Sequence, residues 1–231
     1  MNNLNKNNKN DLVAKAARSV MGAVPFAGQL LCEIVDEIIP NQKIDRLIKF
    51  VEILDKKLSA FQQEFIKQEV QKEECADFFE EGIRQASRAL SEERKEYIAT
   101  LLTNGLSSKD IDYNESKHLL RILSEINDIE IIWLRFYLVP TIGGDDEFRK
   151  KHENILEKIV ATLIATQEVK DREALQNSYI QHLVQLGLLE NKYGGGLRFD
   201  STPEDILKVT NHEITMLGKL LLHQIGLDVI S

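Results

Sequence analysis

Cysteine and histidine are scarce in this chain of 231 residues, with two of the first and five of the second. Cys32 and Cys75 stand in no CxxC and beside no histidine pair, which excludes a zinc framework and a disulfide scaffold; both read as reduced, buried thiols. His118, His152, His182, His212 and His223 are scattered, with no HExxH and no pair at ligand spacing. Gly194, Gly195 and Gly196 lack the Lys and the Ser or Thr that a phosphate loop requires, so the triplet reads as a flexible loop tip. The acidic runs EECADFFEE and GGDDE lack EF-hand spacing and read as solvated faces. The catalytic, metal and cofactor sets are therefore expected to be empty, and the chain is expected not to be an enzyme.

Proline is rare as well, at four residues, and no stretch reaches the about 20 consecutive apolar residues of a constitutive spanning helix. The opening MNNLNKNNKNDL lacks the basic, apolar and small-residue order of a signal peptide. Residues 1–11 read as a disordered leader, and the expected location is the cytosol of a microbe. What is present is 43% apolar and 29% charged residues, in stretches rich in Leu, Ile, Glu and Lys. That balance predicts a mostly α fold, long enough for two modest domains. Residues 1–109 carry 16 basic and 17 acidic side chains and residues 110–231 carry 13 and 20, so nearly all of the net charge of -8 lies in the second half. An acidic half weighs against DNA, whose phosphates require clustered cations.

Along the chain, residues 12–107 read as a helical bundle, 108–115 as a linker, and 116–231 as a helical domain ending in a small β element. The segment SVMGAVPFAGQLLC, residues 19–32, carries no charge and is broken by Gly22, Pro25 and Gly28, which predicts two helical pieces with a bend. Its apolar set, Val20, Met21, Gly22, Val24, Pro25, Phe26, Gly28, Leu30 and Leu31, reads as a packed core element or as a segment that a trigger releases onto a membrane or partner. Leu47, Val51, Leu54, Leu58, Phe61 and Phe65 are spaced 4, 3, 4, 3, 4 and predict one helical seam, packed on a neighbouring helix or on a second copy. Ser91 is expected to cap a helix that Gly105 stops. A long helix is expected from Asp145 or Asp146 with Phe148, Ile155, Ile159 and Leu163 on one face, and another from Asp171 to Gly187. Trp133 reads as core of the second domain.

The period then changes. LLENKYGGGLRF suits two brief strands around the glycines, Thr202 and Pro203 could open a short helix, and HEIT returns as a strand before MLGKLLLHQIG. On YIQHLVQLGLLENK and HEITMLGKLLLHQI the end of the chain resembles a winged-helix domain, with Tyr179 to Gly187 as the recognition-type helix, Leu188 to Lys192 and Glu213 to Thr215 as wing strands, and Leu217 to Ile225 as the closing helix. That resemblance implies a mostly α protein with a winged-helix-like α+β module and a small β wing, and it implies Gln176, Asn177 and Gln181 as the side chains that would read DNA. The overall layout is also similar to uncharacterised bacterial helical proteins and, more distantly, to HeLo-type cell-death bundles, whose N-terminal helices act on membranes. The expectation that ranks first is a non-enzymatic bacterial effector or regulator, in a setting such as anti-phage defence, that engages a membrane, a protein partner or itself as a homo-oligomer. A winged-helix transcriptional regulator and a self-associating structural adaptor rank behind it.

Overall fold

The computed structural model describes residues 44–108, 111–141, 144–193 and 209–228. Among them are ten helices and two strands: α1 (Ile44–Leu58), α2 (Gln63–Val70), α3 (Glu73–Arg88), α4 (Glu92–Ser107), α5 (Tyr113–Glu125), α6 (Asp128–Phe136), α7 (Asp146–Lys151), α8 (Glu153–Leu156), α9 (Gln167–Gln185), β1 (Leu189–Tyr193), β2 (Val209–Ile214) and α10 (Met216–Gln224). The mostly helical character expected from composition is present, with a single two-stranded antiparallel sheet among the described residues. Two units result, 1–124 with 224–226 and 125–223 with 227–231.

In the first unit α1 packs on α4 and α3, and α3 packs on α4. Leu47, Val51, Leu54 and Leu58 of α1, Phe78, Phe79 and Ile83 of α3, and Ile98, Leu101 and Leu102 of α4 are all fully buried. The helix expected to run through Phe65 ends at Leu58. There the Ser59 hydroxyl donates to the Lys56 carbonyl at 2.7 Å and Phe61 N–H reaches only the Leu58 carbonyl at 2.9 Å, a local bonding pattern that competes with the helical one. Ser91 caps α4 as expected, accepting from Arg94 N–H at 3.1 Å. Gly105 does not stop that helix. It lies inside it where a Cβ would stand 2.7 Å from the Phe78 ring, so the missing side chain makes room for α3.

The expected linker at 108–115 runs into the first turn of α5, whereas the division between units follows Ser124. The cause is a set of bonds that tie α5 to α3 and α4. Gln85 Nε2 donates to Leu120 C=O at 3.0 Å, Arg94 donates to Leu123 C=O at 2.8 Å, and Lys117 pairs with Asp77.

In the second unit α6 and β1 pack on α9, and α8 packs on α6. A capping box opens α6: Asn127 Oδ1 accepts from Glu130 N–H at 3.0 Å while Glu130 Oε2 accepts from Asn127 N–H at 2.7 Å. Trp133, Ile131 and Leu134 of α6 are buried, as the apolar run around the tryptophan implied. Helices α6 and α7 exchange cations: Arg135 lies over the Phe148 ring and Arg149 over the Phe136 ring, each at 4.8 Å. Asp145, at φ 50, holds the N-cap position of α7 without a side-chain capping bond, and its carboxylate pairs with Arg135 at 2.8 Å.

The long helix expected from Asp145 is replaced by the short α7 and α8 and an irregular segment through Thr166. Ile159 N–H and Glu157 C=O bond the Gln176 side chain, which takes them out of any helical ladder. Helix α9 ends in a Schellman motif, with Gly187 at φ 71, Leu188 N–H on Leu183 C=O and Gly187 N–H on Val184 C=O, both at 2.9 Å. Leu183 and Leu188, the two residues the motif brings together, are fully buried. The chain then enters β1, which pairs with β2 from Leu189 opposite Ile214 to Tyr193 opposite Val209.

Candidate functional site

The apolar set from Val20 to Leu31, Cys32, the glycine triplet at 194–196, and Thr202 with Pro203 lie outside the described residues. Of the seam, Leu47, Val51, Leu54 and Leu58 face α3 and α4 of their own unit and are buried there. A second copy cannot reach them while the unit is folded. Phe61 and Phe65 fall beyond α1, where their rings stack at 6.1 Å and Phe65 is 37% exposed.

The residues expected to read DNA share α9 but not an environment. Asn177 and Gln181 are exposed. Gln176 is buried, with both ends of its carboxamide engaged by the backbone of residues 157 and 159. The same helix carries His182, whose Nδ1 lies 2.7 Å from Glu130 Oε1. Glu130 is buried and uses both carboxylate oxygens, one on His182 and one on the Asn127 N–H. This pair locks α9 to the start of α6. The Asn-x-x-Glu spacing at 127–130 is a capping-box signature that the sequence reading passed over in favour of the apolar run behind it.

A second polar cluster lies in the first unit. Tyr113 donates to Glu69 Oε2 at 2.6 Å, and Lys72 Nζ sits 2.8 and 2.7 Å from the two oxygens of the same carboxylate. The Lys72 and Tyr113 hydrogen bonds hold Glu69 below the usual carboxylate range. Burial pushes Cys75 up to about 11 and raises Tyr113 as well. A thiol so placed stays protonated at neutral pH and is no nucleophile.

The least ordinary surface lies between α8 and α9. Leu163 is 99% exposed, Ile164 95% and Val160 66%, and Leu175 of α9 is 56% exposed. Leu163 and Ile164 are the most exposed large apolar side chains among the described residues. The sequence signal of this surface is IVATLIAT, eight residues without charge, Gly or Pro, which the helical reading absorbed. Elsewhere in the second unit an open hollow of about 760 Å³ is lined by Leu138, Met216, Lys219, Leu220, His223 and Asp228, with His223 and Asp228 paired at 2.7 Å. Among the described residues no group of three or more His, Cys, Asp or Glu could hold a metal ion, and no helix is long and apolar enough to cross a membrane. Comparison with models of protein families, with curated proteins and with solved structures returns no match.

Proposed function

We propose that the chain is a non-enzymatic effector or regulatory protein that works by association. The observation that carries this reading is the turn with Leu163 and Ile164 almost fully in water, since burying such side chains against a partner is worth about 1.5–3 kcal/mol each. The uncharged, Gly- and Pro-broken segment at 19–32 supports the same reading from the other unit, as the element that a trigger exposes to a membrane or partner. The order helix, strand, strand, helix from α9 to α10 supports a winged-helix-like module, here used for packing and partner binding. Gln176, whose carboxamide is drawn into backbone bonds, lends no support to base reading, and the DNA regulator stays the second reading.

The test pairs full-length protein with a Leu163→Asp/Ile164→Asp variant and with a Leu30→Asp/Leu31→Asp variant, each checked for folding by circular dichroism. Sedimentation, liposome dye release and retardation of duplex DNA are the readouts. Self-association or leakage that either variant loses supports the reading. Salt-sensitive DNA retardation untouched by both variants, or silence in all three assays, overturns it.

A further inference from the structure

Residues 158–166 read KIVATLIAT, with one charge, at Lys158. They join α8 to α9 without a helix or strand of their own. Gln176 fixes how the segment begins: Nε2 donates to Glu157 C=O at 2.9 Å, and Oε1 accepts from Ile159 N–H at 3.1 Å. Donating to residue i−1 and accepting from residue i+1 is the pair of bonds that one residue of a parallel strand makes opposite residue i. The carboxamide thus stands where a neighbouring strand would, and its orientation is unambiguous because a carbonyl only accepts and an N–H only donates.

Along 158–162 exposure alternates, with Lys158, Val160 and Thr162 exposed and Ile159 and Ala161 half-buried, the two-residue period of an extended chain, in which the main-chain groups of alternate residues point to opposite edges. Gln176 takes the edge bearing 157 and 159. On the other edge the main-chain N–H groups of Lys158, Val160 and Thr162 and the carbonyls of Lys158 and Val160 make no hydrogen bond among the described residues. The Thr162 carbonyl accepts from Ala165 N–H at 3.0 Å, in the turn that presents Leu163 and Ile164, and keeps a second lone pair.

We infer that this open edge accepts the same segment of a second copy of the chain, as an antiparallel two-fold strand pair centred on Val160. The inference rests on the association reading above and names its partner. Such a pair joins Val160 to Val160 and Lys158 to Thr162 on either side, using each of the unpaired groups. Charge selects the partner. The two Lys158 side chains fall at opposite ends, each across from an uncharged threonine, so that no like charges face, and a charged foreign strand finds no counter-charge along the edge beyond Lys158. Ile159, Val160, Thr162 and Ile164 are β-branched and suit a strand, and apart from Lys158 the stretch has no proline or charge to blunt an exposed edge. Closed two-fold pairing is also the commonest symmetry of self-association.

The experiment is sedimentation equilibrium of the full chain over a wide concentration range, with Val160→Pro and Leu163→Asp variants beside it. Proline at 160 removes an N–H that makes no bond among the described residues, so thermal unfolding is expected to stay where it is while dimerisation weakens at least about tenfold. Amide hydrogen exchange on the unmodified chain is the second measurement, with protection at 158, 160 and 162 expected to appear only at high concentration. A wild type that remains monomeric throughout overturns the inference. So does a dimer that Val160→Pro leaves intact; if Leu163→Asp abolishes that dimer, the association reading survives and strand pairing does not. If neither variant weakens it, strand pairing falls and the dimer forms through another surface of the chain.

Discussion

The two units use their apolar residues differently. The first buries them inside itself: α1 carries four seam residues against α3 and α4, and Gly105 lets Phe78 approach until no space is left. In the second, individual polar contacts fasten α6, α7, α9 and the segment before α9, while Val160, Leu163 and Ile164 stay in water. Among the described residues the helices α1, α3 and α4 close on one another, whereas the second unit leaves an apolar turn in water.

The sharpest way to break that contrast is Phe78→Ala. Loss of a fully buried ring is expected to cost about 3–5 kcal/mol in chemical denaturation; a small change would mean that the first unit is loosely packed after all. Next in size, Glu130→Ala removes a buried carboxylate and leaves the Asn127 N–H and His182 without their acceptor, for about 2–3 kcal/mol. Alkaline pH acts on the first unit. Cys75 holds its proton up to about 11 when folded, so between its ordinary pKa near 9 and that value the unfolded chain releases a proton that the folded one keeps, and stability falls as pH rises through this window. A urea midpoint unchanged from pH 9 to 11 would contradict the burial of that thiol. Gln176→Ala is expected to cost only about 1 kcal/mol and to speed amide exchange at Ile159. Smallest of all, Leu163→Ser with Ile164→Ser is expected to move the unfolding midpoint by less than about 0.5 kcal/mol, since neither side chain packs on its own unit.

Helical period carried most of the fold. The α1 seam from Leu47 to Leu58, the Ser91 cap and the stop at Gly187 were all legible, because each is a local pattern with a local cause. Leu163 was misplaced for the opposite reason. Ile155, Ile159 and Leu163 follow one another at four-residue steps that fit a helix face, but a side chain from α9, Gln176, claims the backbone that the helix would need. Gly105 misled in the same way, since a glycine near a helix end is the same letter whether it ends the helix or admits a neighbour. The exposed surface was legible only as an uncharged string; that it faces water is a tertiary fact.

The exchange of cations and rings between α6 and α7 has a consequence for how this chain drifts over generations. Each helix gives the other one arginine and one phenylalanine, so the two contacts form one reciprocal bargain among positions 135, 136, 148 and 149. Lysine at either arginine position would forfeit bonds that a planar guanidinium makes, from Arg135 to Asp145 and from Arg149 to the carbonyls of Val139 and Thr141. Descendants of this sequence are expected to keep or lose the four together, and such a block of joint inheritance would trace the packing of α6 on α7 wherever the rest of the sequence has diverged.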